Sequence, residues 1–510
     1  MQFNHNSVEL LNRSCYTNFK FCALSTISIS KVFMANAPKR MLAFDVLKTS
    51  FLIAIYIIAI VVKRHVLGEK RIRMKKYNML KDHPGKSLLA FALPMIIGNL
   101  FQQFYNMADS VIVGKFVSED ALAAVGASYS LTTIFIMVAI GGGIGSSVII
   151  SQYFGAKKYK EMKTAIYTAL ISFFVMSIFL FIFGLLMKDW LLLSLNTPLN
   201  IFDDAALYLQ IYFVGLPFLF MYNILASVFN ALGKSEIPLY LLIFSSMLNI
   251  VLDLFMVISL KMGVAGVAIA TVIAQGVSAI ISLVILIRTI NSYDTGTKEI
   301  TKFDRAMLKT MVVVAVPSIL QQSIVSIGMV LVQSVVNTFG SSALAGYSAG
   351  MRIESICIVP MIATGNAMST FVAQNLGAGQ QKRVREGYIA SYKIIISFAV
   401  ALALIIALFY KPIIGMFLDV ESGSEAYKIG IDYLRFIGYF FIFIGLKQST
   451  DGVLRGAGDM AVFTIANLVN LGIRVFVAHK FAPIWGIHAV WYAIPMGWAA
   501  NYVVSFLYYK

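Results

Sequence analysis

Apolar runs of about twenty residues, the length of helix that crosses a bilayer, recur along this chain from Leu88 to its last residues. Such runs restrict the fold to helices in lipid, and composition agrees. Of 510 residues, 59% are apolar and 13% charged, too few polar side chains to cover the surface of an ordinary soluble protein. Twelve spans are predicted, near 87–114, 121–153, 164–187, 205–230, 237–260 and 263–288, then 307–339, 343–375, 388–410, 429–455, 461–479 and 486–508. The polar stretch from Arg288 to Arg305 divides six from six.

The net charge of +17 does not point to nucleic acid, because the basic residues sit in short connections and not along an amphipathic face or beside stacking aromatics. It gives orientation instead. Lys157, Lys158, Lys160 and Lys163 follow the second run; Lys298, Lys302, Arg305 and Lys309 precede the seventh; Lys382, Arg383 and Arg385 follow the eighth. The alternate connections hold little beyond Lys115, Lys188, Lys261, Lys411 and Lys480. The positive-inside rule therefore puts the first set, and the C-terminus, in the cytoplasm of a multi-pass protein of the cell membrane. Cys15, Cys22 and Cys357 form neither a disulfide framework nor a metal-ligand pattern. Residues 1–73 stand apart: Phe51 to Val62 is apolar but short and followed by a basic cluster. It reads as an extra anchor, as a signal-like segment, or as sequence upstream of a start at Met74, and the last is preferred.

The two sides align. Phe91-Ala-Leu-Pro94 faces Val314-Ala-Val-Pro317, 223 positions on. Ala121-Leu-Ala123 faces Ala343-Leu-Ala345, and Gln152-Tyr-Phe-Gly-Ala156 faces Gln374-Asn-Leu-Gly-Ala378, both at 222. Tyr208-Leu209 faces Tyr433-Leu434 at 225 and Asn249 faces Asn470 at 221. Small drifts with order preserved are the mark of a duplication. Each repeat has an even number of spans, so the repeats are parallel, with a cleft between two bundles whose rocking gives alternating access. The expected domains are 74–288, a cytoplasmic loop 289–306, and 307–510. Gly141, Gly142, Gly143 and Gly145 lack the Lys-Ser/Thr ending of a phosphate loop and read as helix-packing residues.

An ionisable side chain in mid-membrane costs at least about 2.5–3.5 kcal/mol, so each needs a partner or a purpose. Four acids fall in spans: Asp109, Asp253, Glu354 and Asp451. Asp451 has Lys447 one turn earlier and can pair with it. Asp109 has no basic residue at i±3 or i±4, only Asn106 nearby, and Asp253 has Asn249 at i−4. Their counterparts in the second repeat are Val332 and Arg474, so the repeats share a scaffold and not a site. Uncompensated acids with neighbouring amides suit a proton carrier, since burial favours a protonated carboxyl, or a sodium site, since a hard cation takes several oxygens. Glu354 follows Arg352 by two residues, a spacing that shares no helix face; it is a secondary candidate, as is Asp451. Pro94 and Pro317 interrupt the first spans of the repeats and are candidate bends. No HExxH, phosphate loop or His/Cys constellation supports an enzyme.

Phe91-Ala-Leu-Pro94, Tyr105-Asn-Met-Ala-Asp109, Ala121-Leu-Ala-Ala-Val-Gly126, Asn249-Ile-Val-Leu-Asp253, Gly263-Val-Ala-Gly266, Leu454-Arg-Gly-Ala-Gly-Asp459 and Ile494-Pro-Met-Gly-Trp498 together resemble the multidrug and toxic compound extrusion (MATE) transporters from about Lys86 onward. The resemblance implies an all-α polytopic membrane protein, twelve transmembrane helices in two parallel six-helix repeats forming a V-shaped cleft. It further implies export of amphiphilic, often cationic, small molecules by antiport with H⁺ or Na⁺, with no cofactor and a first-helix acid, here Asp109, central to coupling. In the DinF-like branch the site also uses residues matching Tyr208, Asn249, Asp253 and Thr271, so a sodium ion would sit at Asp109, Asn249, Asp253 and Thr271. A further family Asn falls on Ala226, with Asn223 one turn away as a substitute. The expected partners are small substrates and membrane lipids, with a monomeric protein. The rival readings are a lipid-linked oligosaccharide flippase of the same superfamily, which would line its cleft with several cations, and a non-transporting sensor.

Overall fold

The computed structural model describes residues 77–195, 197–296, 299–418 and 424–509. The readings made for residues 1–73 and for Lys298 lie outside them. Among the described residues there are helices and no strands. The first repeat comprises α1 (Pro84–Phe116), α2 (Glu119–Gly155), α3 (Tyr159–Ser194), α4 (Leu199–Ala231), α5 (Glu236–Leu254) and α6 (Gly263–Asn291). The second comprises α7 (Arg305–Asn337), α8 (Ser341–Cys357), α9 (Val359–Gly377), α10 (Gln381–Gly415), α11 (Glu425–Gly438), α12 (Phe441–Ala457), α13 (Met460–Trp485) and α14 (His488–Tyr509).

These fourteen helices make twelve spans because two spans of the second repeat are interrupted. α8 and α9 form one span broken at Ile358, with Pro360 in the first turn of α9, where a missing N–H costs nothing. α11 and α12 form another, bent by 52°. Their counterparts α2 and α4 run without interruption, α4 even through Pro217. α1 and α7 likewise remain helical through Pro94 and Pro317. Several helices overrun the spans drawn from sequence: the third begins at Tyr159 and the ninth at Gln381. Their basic first turns stand beyond the apolar run, where water and headgroups accept them. α14, which carries Trp491, Tyr492, Trp498, Tyr502, Tyr508 and Tyr509, packs along α13 and α12.

Chain direction sorts the helix ends. α1 starts, and α2, α4, α9 and α12 end, at one end of the bundle, called the near end below; α1 ends and α2 starts at the far end. The first repeat has its own core, from Phe135, Phe173, Phe213, Phe220 and Phe229 among others, and the second is built around Tyr433, Phe441, Ile444 and Trp491. α1 belongs to both. Its near half (Leu88, Phe91, Ala92, Ile96) packs with Ala363, Ala367 and Phe371 of α9 and Tyr388 of α10. Toward the far end its Val113 packs with Val257, Val264 and Val267 of the first repeat. Four mid-helix glycines of α2 contact three neighbours. A Cβ on Gly141 or Gly145 would meet the α7 backbone at Ile319 and Ala315 (2.7 and 2.5 Å), one on Gly142 would meet Phe173, and one on Gly143 would meet Ser227.

Candidate functional site

Asp109 is carried by α1 two turns before its far end, and Asp253 by the last turn of α5. The α5 helix then opens into a π-turn, Phe255–Ser259, in which Leu260 N–H bonds Phe255 C=O. A π-turn carries one residue more per turn and turns the following side chains relative to an unbroken α-helix. Lys261 (φ 54°) and Gly263 (φ 56°) then reverse the chain into α6, bringing Thr271 of α6 beside Asn249 of α5. Nothing in the run Phe255-Met-Val-Ile-Ser announces this π-turn.

The two carboxyl groups are near neighbours that interact with each other, an arrangement whose repulsion a shared proton or cation would relieve. Asp253 is fully buried and Asp109 half-buried. Neither forms an ion pair among the described residues, and one oxygen of each, Oδ1, has no hydrogen-bond partner there. Tyr105, one turn before Asp109, and Tyr208 of α4 stand close enough for their phenols to feel both acids.

Asn249, one turn before Asp253 and 1% exposed, links the set. With its nitrogen toward the acid, Nδ2 donates to Asp253 Oδ2 (2.9 Å) and the Tyr105 hydroxyl (3.1 Å). The amide oxygen then accepts from the Thr271 hydroxyl (3.2 Å) and N–H (3.1 Å). Turned by half a revolution, Nδ2 donates to Thr271 Oγ1 at 3.2 Å and the oxygen faces Asp253. The first orientation satisfies a carboxylate; the second accepts a proton from a carboxylic acid or offers an oxygen to a cation. The amide can therefore follow the charge of Asp253 without any movement of the backbone.

The structure thus assembles Asp109, Asp253, Asn249, Thr271 and Tyr208 at one place, and adds Tyr105, whose i−4 spacing from Asp109 was legible but unused. Asn223 is engaged elsewhere: its Nδ2 donates to Leu219 C=O one turn earlier (2.8 Å), and its own backbone packs beside Gly143 of α2. Asp451 and Lys447 form a buried ion pair (2.8 Å), with Asn467 and Ser505 as further donors, each at 3.5 Å. Glu354, on α8 just before the break, accepts from the Tyr433 hydroxyl of α11. Its helix neighbour Arg352 is exposed and forms no ion pair among the described residues, whereas Arg474 of α13 is buried nearby in the same half. The charge at Asp253 is thus inverted at the matching position of the second repeat.

A family model described as MatE matches residues 94–255 and again 317–479, so the two matches begin at the aligned prolines. The probable multidrug resistance protein YpnP of Bacillus subtilis (strain 168) is 30% identical over 438 residues, 86% of this chain and 97% of that protein. The probable multidrug resistance protein NorM of Thermotoga maritima is 26% identical over 404 residues, 76% of this chain and 83% of that protein. Among solved structures, a MATE in complex with MaL6 superposes with a TM-score of 0.79 at 25% identity, covering 86% of this chain and 98% of that one.

Proposed function

This chain belongs to the MatE family, and on that premise we propose that it is a secondary active multidrug exporter of the cytoplasmic membrane. In this reading it extrudes amphiphilic, often cationic, small molecules in exchange for a cation carried by the Asp109–Asp253 pair. The observation that carries the reading is the pair itself: two neighbouring carboxyl groups, without an ion pair among the described residues, held by an amide that can serve either charge state. A buried site of this kind is retained against its insertion cost for a function.

The coupling ion proposed is H⁺. A proton shared between Asp109 and Asp253 needs only the half-turn of Asn249. Na⁺ is the second reading, since both carboxyls, the Asn249 oxygen and the Thr271 hydroxyl offer four hard ligands. Half-buried Asp109 exchanges the ion with the interior and Asp253 keeps it out of contact with water. Uptake from the outside favours substrate release and reorientation; discharge to the cytoplasm readies the cleft for the next substrate. The near end is assigned to the cytoplasm, because Lys157, Lys158, Lys160, Arg305, Lys382, Arg383 and Arg385 cluster there, and the protein acts as a monomer. Of the three buried cations among the described residues of the second half, Lys447 is engaged by Asp451 and Arg455 by Asn366 (2.8 Å), and Arg474 faces Glu354, which leaves little to hold the pyrophosphate of a flippase substrate.

The test is efflux of a fluorescent organic cation from proteoliposomes with pH and sodium gradients imposed separately. Wild type responds to the pH gradient and Asp109→Asn, folded and able to bind substrate, responds to neither. Unchanged efflux by Asp109→Asn sinks the assignment, and a response to sodium alone transfers the site to Na⁺.

A further inference from the structure

At the near end, the two repeats meet through matching residues. A Cβ on Gly155, where α2 ends, would lie 1.9 Å from the Gln374 backbone oxygen of α9, and one on Gly377, where α9 ends, would lie 2.1 Å from the Gln152 backbone oxygen of α2. Gly155 and Gly377 are counterparts in the duplication, and so are Gln152 and Gln374. The side chains reciprocate as well. Gln374 Nε2 donates to the carbonyl of Ala231, the last residue of α4, at 2.8 Å. Gln152 Nε2 reaches the carbonyl of Gly456, in the last turn of α12, at 3.5 Å. Ala231 and Gly456 are again counterparts, 225 positions apart as the fourth spans align. Each half thus places a glutamine amide on a terminal helix carbonyl of the other, across a backbone approach that only glycine permits.

The position of these contacts suits a closure more than general packing. Among the described residues, the hydrogen bonds between side chains of one repeat and groups of the other run from this end only as far as Ser326 and Met137 (3.5 Å). The carbonyls at the ends of α4 and α12 have no further turn of helix to bond them, although that of Ala231 also accepts from Ser151 Oγ of its own repeat (3.2 Å). Once the halves part, water can take the place of either amide, so the bonds bias closure and do not fix it.

We propose that Gln152 and Gln374 are gate residues of the transport cycle: paired amide latches that hold the near end closed in this conformation and release when it opens. Gly155 and Gly377 are the positions whose bareness lets the latches engage. The inference rests on the alternating-access reading, but it can be tested without an ion or a substrate.

The experiment places spin labels at Lys158 and Gln381, both exposed near-end positions, in the full chain with Cys15, Cys22 and Cys357 replaced by serine. Distances are measured by pulsed electron resonance in nanodiscs. The unlatched variants Gln374→Ala and Gln152→Ala raise the ratio of long to short distances by about twofold to tenfold each. Gln374→Ala has the larger effect because its bond is the shorter. Gly155→Val abolishes the short distance, and Gly472→Val, a helical glycine with open space around its Cβ direction, leaves it in place. Size-exclusion profile and helicity confirm that each variant is folded. A short-distance population unchanged in both Gln374→Ala and Gln152→Ala overturns the inference, whatever Gly155→Val does. Efflux that ignores both gradients while the latches still set the distances sinks the antiport reading alone.

Discussion

Replacing Asp253 by Asn tests the acid pair where its physics is sharpest. The two carboxyls are near neighbours that interact with each other; two like charges about 4 Å apart repel by about 4 kcal/mol at an effective dielectric of about 20. That repulsion is what a single shared cation relieves, and 4 kcal/mol is close to a thousandfold in an equilibrium constant at about 1.4 kcal/mol per decade. Asn in place of Asp253 keeps the volume, and turning its amide keeps a bond to Asn249. It removes the repulsion and leaves Asp109, half-buried and partly hydrated, as an isolated acid. Affinity for the coupling ion therefore falls by up to about a thousandfold, and gradient-driven efflux drops to the leak level at ordinary ion concentrations. Substrate binding, measured by fluorescence anisotropy in detergent, stays within about threefold of wild type, because the substitution removes no apolar surface from the cleft. Raising the ion gradient by two decades recovers part of the transport. Efflux within twofold of wild type under the ordinary gradient would refute the reasoning, since the pair would then not be the unit that holds the ion.

Two further substitutions separate structural charges from functional ones. Asp451→Asn strands Lys447, 4% exposed, without its counter-ion and destabilises the protein by about 3–5 kcal/mol, read as a lower thermal midpoint in detergent; the double change Lys447→Met with Asp451→Leu restores most of that loss. Glu354→Gln keeps a hydrogen-bond acceptor for Tyr433 but removes the charge facing Arg474, so it lowers stability by about 1–3 kcal/mol and leaves the ion dependence of efflux unaltered. A loss of ion dependence in Glu354→Gln would move part of the coupling into the second half.

The sequence carried the large features because they rest on periodic or repeated signals. Twelve spans follow from the length of apolar runs, and the duplication follows from offsets that hold near 223 across four of the six spans of each repeat. The Lys447–Asp451 pair follows from an i,i+4 spacing that brings both onto one face, and the structure forms it at 2.8 Å. What was not legible lies where backbone geometry departs from the helix without a residue that demands it. The π-turn after Asp253 sits in Phe255-Met-Val-Ile-Ser, an ordinary apolar string. The break at Ile358 has Pro360 nearby, but Pro217 interrupts nothing in α4, so proline alone does not decide. Asn223 looked like a substitute ligand because it lies one turn from Ala226; its side chain instead satisfies the Leu219 carbonyl of its own helix, a local bond that spacing cannot foresee.

The duplication also shows where function departs from scaffold. Position by position, Tyr208 and Tyr433 agree, as do Asn249 and Asn470, while Asp253 gives way to Arg474 and Asp109 to Val332. The shared tyrosine and asparagine serve different partners: Asn249 bonds within the acid site and Tyr433 donates to Glu354, while Asn470 Oδ1 is buried with no partner among the described residues. A symmetric protein would take up the same ion on both walls of its cleft and gain nothing in direction from the second. Here one half carries two acids that form no ion pair among the described residues, and the other carries a base, Arg474, at the position matching Asp253, with Glu354 beside it. α1 spans this difference: its near half packs on the second repeat and its Asp109 stands in the site of the first. A change of charge at Asp109 therefore acts on a helix that packs on both halves, which is where a loaded site has to be felt if it is to alter how the halves meet.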